Sequence, residues 1–187
     1  MKRIALFIDG LNVRFRLRER GWCEYYDVNH LAKELAGPRE LVKALYYHPR
    51  PNQEQLGPER YAKERAYLER VARDEAVLTP AGAYMVKRER WVDDNKAEIW
   101  IEKQTDVLLA SDLLYMAAKG SMDTAIVATA DADLVPAIRR CSELGVPVEV
   151  LRFRGVHPRI YELESVAVVL RRARPAYFKP YDADEPN

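Results

Sequence analysis

The stretch TAIVATADADLVPAIRRCSELGVPVEVL, Thr124 to Leu151, reads as strand, helix, strand, and that order decides the fold. Thr124 to Ala128 form an apolar run without alternation, the mark of a strand covered on both faces. Asp131 to Leu144 carry a helical pattern that Gly145 stops, and Val146 to Leu151 form another apolar strand. Parallel strands joined through a helix require a right-handed crossover, so a doubly wound sheet with helices on both faces is expected.

Outward from that unit the same texture recurs. Ile4 to Ile8 are a continuous β-favouring run ended by Asp9-Gly10, a buried strand followed by a tight turn. A short helix carrying Arg14, Arg16, Arg18 and Arg20 stops at Gly21. Asp27 caps a helix running through Leu31 and Leu35 to Gly37, and Leu41 to Tyr47 form a strand. His48 to Pro58 read as an irregular polar loop, and Pro58 opens an exposed helix with Tyr61, Ala62, Leu68, Val71 and Ala72 as its apolar face. Residues 83–91 and 98–102 flank Asp93-Asp94-Asn95 as a β-hairpin. Val107, Leu108, Leu109, Ala110, Leu113, Leu114, Met116 and Ala117 encircle a helix, which predicts one buried all round and ended by Gly120. The expected architecture is a three-layer α/β/α domain over residues 1–170 with a small hairpin addition. Residues 171–187, with Pro175, Pro180 and Pro186, read as a C-terminal tail.

Composition narrows the class further. At 187 residues, 48% hydrophobic and 32% charged, the chain is a globular domain with a real core, not a low-complexity or disordered one. Thirty Lys+Arg against 29 Asp+Glu leave a net charge of +1, so a polyanion is held only by local basic clusters. Cys23 and Cys141 sit in no CxxC or Cys/His spacing, which argues against a disulfide framework or structural zinc and predicts a cytoplasmic setting. Asp9 interrupts the first apolar run early, and no other run reaches membrane length, so no membrane association is expected.

The acids fall at strand ends. Asp9 follows the first strand, and Asp131 with Asp133 follow Thr124–Ala128, all at the carboxyl ends of parallel strands, where open α/β sheets bind ligands. Asp106 opens the long apolar helix and Asp112 lies within it. Carboxylates packed together raise one another's pKa unless a cation neutralises them. With no His or Cys among them, the donors are hard oxygens that suit Mg²⁺ or Mn²⁺, ions that assist in-line phosphoryl displacement. Taken singly, Asp131 also reads as a helix cap and Asp9 as a turn residue. Asp106 and Asp112 are six residues apart, about 240° around a helix, so they do not share a face. Asp106 is the metal-facing candidate. Asp112 either supports the site from behind or makes a buried hydrogen bond. Lys103, just before this helix, is a candidate phosphate contact and equally an ordinary surface lysine.

FIDGLN (Phe7–Asn12), KQTDVLLASDLL (Lys103–Leu114) and ATADADLVP (Ala128–Pro136), in that order, resemble the NYN family of PIN-like nuclease domains, in particular its bacterial LabA-like/DUF88 branch. Gly145-Val-Pro-Val-Glu-Val is similar to the family's closing strand. The resemblance implies a PIN-like, mostly parallel central sheet. It matches Asp9 to the first metal acid, Asn12 to its polar neighbour, Asp106 and Asp112 to the helix acids, and Asp131 with Asp133 to the later pair. It implies metal-dependent hydrolysis of RNA, single-stranded or structured, with Asp9, Asp106, Asp131 and Asp133 holding one or two Mg²⁺ or Mn²⁺ ions. Gln104-Thr105 departs from the family's Gly-Val. Thr129 keeps the hydroxyl of the family's Ser-Gly-Asp-Ser-Asp-Phe segment, whereas Ala132 loses one, worth about 1 kcal/mol of hydrogen bonding.

An acidic pocket attracts RNA only through a basic rim, for which Arg14, Arg16, Arg18, Arg50, Arg60 and Lys63 are candidates, with Tyr46, Tyr47, His48 and Tyr61 interleaved as possible stacking groups. Lys87-Arg-Glu-Arg-Trp91 reads either as a nucleic-acid or partner contact or as an ordinary charged hairpin. Arg171, Arg172 and Arg174 with Tyr177, Phe178 and Tyr181 either anchor a homodimer or protein partner or pack on the domain. Two other functions compete with a nuclease. One is a non-catalytic RNA-binding or assembly module. The other is an aspartyl phosphatase, disfavoured because Asp9-Gly10-Leu11-Asn12 lacks a second Asp two residues after the first.

Overall fold

The computed structural model describes residues 1–92, 95–153, 165–166 and 169–181. Strand β1 (Arg3–Asp9) is followed by helices α1 (Gly10–Arg18) and α2 (Val28–Ala36), strand β2 (Glu40–Tyr47), and helices α3 (Gln53–Leu56) and α4 (Pro58–Arg73). The two-residue strand β3 (Val77–Leu78) precedes the hairpin β4 (Tyr84–Val92) and β5 (Asn95–Lys103). Helix α5 (Thr105–Ala118), β6 (Thr124–Ala128), α6 (Val135–Glu143), β7 (Val148–Arg152) and β8 (Val169–Arg172) complete the order.

The main sheet runs β3-β2-β1-β6-β7-β8 with every pairing parallel. The chain winds one way from β1 to β2 and β3, and the other way from β6 to β7 and β8. The order therefore reverses between β1 and β6, and a crevice opens at their carboxyl ends. Pleating explains why β1 lacks polar alternation. Ile4, Leu6 and Ile8 enter a layer with Leu31, Leu35, Tyr67 and Val71 of α2 and α4, while Ala5 and Phe7 enter a layer with Leu109, Leu113, Ile138 and Cys141 of α5 and α6. Caps mark the helix ends: Asp27 accepts from the His30 N–H at 3.0 Å, and Gly37 follows α2 with φ +58°.

Several local expectations change. The loop after His48 contains α3, capped by Asn52. The buried face of α4 is Glu64, Tyr67 and Val71, with Leu68 packed beside it, so the apolar reading finds Val71 and Leu68 but misses Glu64, which has a buried cation opposite it, and includes Ala62 and Ala72, which are exposed. Helix α5 buries only Thr105, Leu109, Leu113 and Ala117. Val107 and Tyr115 are 67% and 63% exposed, so apolar residues all round did not mean cover all round. Residues after Asp131 form a 3-10 turn (Ala132–Leu134) before α6, and β7 begins at Val148, two residues later than the apolar run.

Residues 171–181, read as a tail, carry the end of β8, and Phe178 is buried against Tyr26, their rings 5.1 Å apart and edge-on. Glu149 of β7 clamps this region by pairing with Arg39 at 2.8 Å and with Arg171. The proline-rich composition signalled a segment without regular structure, yet its aromatic residue still fills the core. The antiparallel hairpin forms as expected, although Asp93 and Asp94 of its turn lie outside the described residues.

Candidate active site

Asp9 ends β1 and caps α1, accepting from the Asn12 N–H at 3.0 Å. Gly10 makes that sharp turn possible, since a Cβ there would overlap the Tyr46 ring and stand 2.8 Å from the Tyr47 carbonyl oxygen. Across the crevice, fully buried Thr129 donates its hydroxyl to Asp9 Oδ2 at 3.1 Å and accepts the Asp131 N–H at 3.0 Å. Asn12 Oδ1 accepts the Ala130 N–H at 3.0 Å. These bonds lace the ends of β1 and β6 together and hold Asp9 and Asp131 at a common opening.

That opening is a cavity of about 530 Å³ whose acidic lining is Asp9, Glu102, Asp106, Asp131 and Glu64. Burial pushes the Asp9 carboxyl up to about 7, with Asp106 and Asp131 adding repulsion against the bonds from Asn12 and Thr129. Burial also raises Asp106 to about 6, with Asp131, Glu102 and Asp133 repelling its charge. Three of the four expected metal acids thus share one cavity, where Asp131 opposes the ionisation of both Asp9 and Asp106. Asp133 is exposed and outside the lining; its N–H donates to Asp131 Oδ1 at 2.9 Å.

Glu102, expected only as a strand residue, lines the site from the end of β5. It accepts the Thr105 N–H at 2.7 Å and so steadies the start of α5. The signal available was its place four residues before Asp106, at the junction of strand and helix. Between them Gln104 adopts φ +78°, a left-handed conformation at the position where the family pattern has glycine. Gln104→Gly is therefore expected to stabilise the fold by about 0.5–1 kcal/mol, measured by urea unfolding, because relief of the left-handed cost exceeds glycine's added freedom when unfolded.

Other candidates land differently. Asp112 accepts from the Tyr47 hydroxyl at 3.0 Å and does not line the cavity. Lys103 is exposed at the end of β5, outside the lining. Arg14, expected on the basic rim, is 3% exposed and forms a two-pronged pair with Glu64, its guanidinium 4.6 Å and 5.1 Å from the Tyr25 and Tyr67 ring centres. Its charge is neutralised inside the protein, because Glu64 on α4 faces it. His48 Nε2 lies 3.2 Å from Arg14, and burial together with that cation lowers its pKa to about 4, so it is neutral. Arg16 pairs with Glu19, and Lys63 sits 4.4 Å from the Tyr25 ring centre outside this cavity. Arg50 and Arg60 remain as lining cations, beside Phe15, Met85 and Trp100, while Arg18 lines the cavity but is paired with Glu24 at 2.7 Å. Of the aromatic candidates, Tyr46 and Tyr47 are buried.

Among the described residues, no three His, Cys, Asp or Glu side chains form a group able to hold a metal by themselves. The donor set still fits a hard cation that keeps part of its water shell, as Mg²⁺ does when one or two carboxylates bind it. Burial first and neighbouring acids second raise both carboxyls, and a bound cation would oppose both effects.

No curated protein matches the chain. A solved structure of a protein of unknown function from Vibrio parahaemolyticus superposes with TM-score 0.64 at 19% identity, covering 95% of this chain and 96% of that one, and so shares the fold. A second, from Parabacteroides merdae, reaches TM-score 0.38 at 12% identity over 91% of this chain and 31% of its own, a likeness too low to carry an argument. The NYN domain profile matches residues 3–173, which include β1, α5, β6 and β7 and every acid of the cavity. The chain therefore belongs to the NYN domain family of PIN-like nucleases.

Proposed function

We propose that this protein is a metal-dependent endoribonuclease that hydrolyses RNA phosphodiesters at the β1/β6 crevice. The observation that carries the reading is the meeting of Asp9, Asp106 and Asp131 in one cavity, with the first two carboxyls raised to about 7 and about 6. A bound Mg²⁺ or Mn²⁺ ion supplies stabilisation of phosphate charge and activation of water. Asp9, Asp106 and Asp131 are the residues that hold it, and Asp133 adds negative charge from the edge. Thr129 keeps Asp9 in one orientation, and Asn12 ties the loop after β6 to α1. Arg50 and Arg60 meet phosphates at the mouth, while Phe15 and Trp100 offer ring faces to unpaired bases.

The free thiols Cys23 and Cys141 favour a cytoplasmic setting, and among the described residues no helix is long and apolar enough to cross a membrane. The motif triple supports the LabA-like/DUF88 branch. A second reading, a non-catalytic RNA-binding module, draws support from Ala132, which lacks the hydroxyl of the family pattern. Incubating labelled single-stranded and hairpin RNA with Mg²⁺ or Mn²⁺ separates the two. Cleavage by wild type that disappears in Asp9→Asn and Asp131→Asn supports the enzyme. RNA bound but never cut supports the module, and cleavage that survives both substitutions removes the acids from the chemistry.

A further inference from the structure

The β4–β5 hairpin stands apart from the main sheet, and its two faces differ in kind. Nine residue pairs make it about 30 Å long, and a two-stranded ribbon is marginal unless something packs on it. Alternation and the strand register place Lys87, Glu89, Trp91, Lys96, Glu98, Trp100 and Glu102 on one face. Met85, Trp100 and Glu102 of that face line the cavity. Its charges satisfy one another: Lys87 reaches Glu54 and Glu98 at 2.8 Å each, and Lys96 reaches Glu89 at 3.3 Å.

The other face has no carboxylate among its described side chains. Arg88 lies opposite Ile99, Arg90 opposite Ala97, and Tyr84 opposite Lys103. Arg88, Arg90 and Lys103 are exposed, and among the described residues none of them has an ion-pair partner. Tyr84 is 43% exposed. In a chain whose net charge is only +1, three cations with no acid among the described side chains of their face concentrate positive potential on one narrow strip. Lys103 ends that strip three residues before Asp106.

The geometry points to this acid-free face as a binding track for the phosphate backbone of single-stranded RNA, which it holds outside the cavity while the strand continues toward the acids. The inference rests on the ribonuclease reading for the identity of the ligand. Charge decides for RNA over a second copy of this chain, since unpaired cations spaced along an extended ribbon match a regular row of phosphates. Tyr84 at the root adds a ring on which a base can stack.

The test is fluorescence anisotropy of a labelled single-stranded RNA of about twenty nucleotides, in EDTA so that cleavage plays no part, across a series of salt concentrations. Replacing both arginines, Arg88→Ala with Arg90→Ala, is expected to weaken binding about tenfold. It also flattens the plot of log affinity against log salt by about 1.4, two phosphate contacts at about 0.7 each on a single strand. Arg88→Lys with Arg90→Lys keeps most of the slope, which separates lost charge from a loosened hairpin. Lys96→Gln, on the ion-paired face, leaves it unchanged. An unaltered slope in the double alanine variant overturns the inference. So does RNA binding that stays intact while a dimer seen by sedimentation is lost, which assigns the face to a second copy. Weakened binding by the double variant, in a protein that never cuts RNA, retains the track and removes the nuclease. Cleavage by wild type with an unaltered slope does the reverse.

Discussion

Asp9→Asn is expected to abolish RNA cleavage while making the metal-free protein more stable at pH 8. The Asp9 carboxyl titrates near 3.8 when unfolded and at about 7 when folded, because burial and its acidic neighbours oppose its charge. Between those values the folded state binds more protons than the unfolded one. Stability therefore falls as pH rises from about 4 to about 7 and stays low above. Asparagine carries no charge to oppose. It still accepts the Asn12 N–H through its amide oxygen and so keeps the cap on α1, while the Thr129 hydroxyl must turn away from the new NH₂. Full relief is on the order of 4 kcal/mol by linkage, and water in the cavity with the altered Thr129 bond reduces the expected gain to about 2 kcal/mol. Thermal melts at pH 5 and pH 8 check this: the variant gains at pH 8 and gains little at pH 5. Cleavage falls on the order of a hundredfold or more. A variant both less active and less stable at pH 8 would mean that Asp9 serves the fold as a cap and little else.

Arg14→Met is expected to be the most damaging single change away from the acids. The Arg14 and Glu64 side chains are 3% and 5% exposed, and removing the cation leaves a carboxylate buried without its partner. Breaking such a pair costs about 3–5 kcal/mol. Burial alone would raise the Glu64 carboxyl, and it is Arg14's hydrogen bonds and charge that hold it below its ordinary value. Pairing Arg14→Met with Glu64→Leu restores much of the loss, since apolar groups of similar size often replace a buried ion pair at little cost. His48 reports the same change, because Arg14 is the second cause, after burial, of its depressed pKa. In Arg14→Met the His48 pKa climbs from about 4, visible by NMR titration of the imidazole. Urea unfolding that finds Arg14→Met within 1 kcal/mol of wild type would contradict the role given to the pair.

Local physics made the frame legible. The unalternating runs Ile4–Ile8 and Thr124–Ala128 can be satisfied only by cover on both faces, and that alone implies a parallel sheet with helices on either side. Asp27 and Gly37 marked the ends of α2 because capping is written in the residues themselves. That Asp9 and Asp131 border one cavity was legible because both follow buried strands whose carboxyl ends face a crevice, and Asp106 was legible as the acid that opens α5. What escaped depends on partners distant in sequence. Glu64 lies on one helical face with Tyr67 and Val71, but only Arg14, fifty residues earlier, explains a buried acid there. Arg14 in turn sits in the same run of alternating arginines as Arg16 and Arg18, with nothing local to point to its partner. Glu102 joined the site through the hairpin's position over the crevice, with only its place four residues before Asp106 to mark it, and Phe178 entered the core from a proline-rich segment without a local signature. The exposed side of α5 shows the converse error, in which apolar residues promised cover that this chain does not provide.

The central claim is that Asp9, Asp106 and Asp131 share a divalent cation. Calorimetric titration of Mn²⁺ into the wild-type protein at pH 8, repeated with Asp9→Asn and Asp106→Asn, tests it without reference to any substrate. Saturable binding by wild type, weakened about tenfold or more in each variant while both remain folded, is the predicted result. No saturable binding by wild type, or binding that both variants retain at full strength, would contradict it.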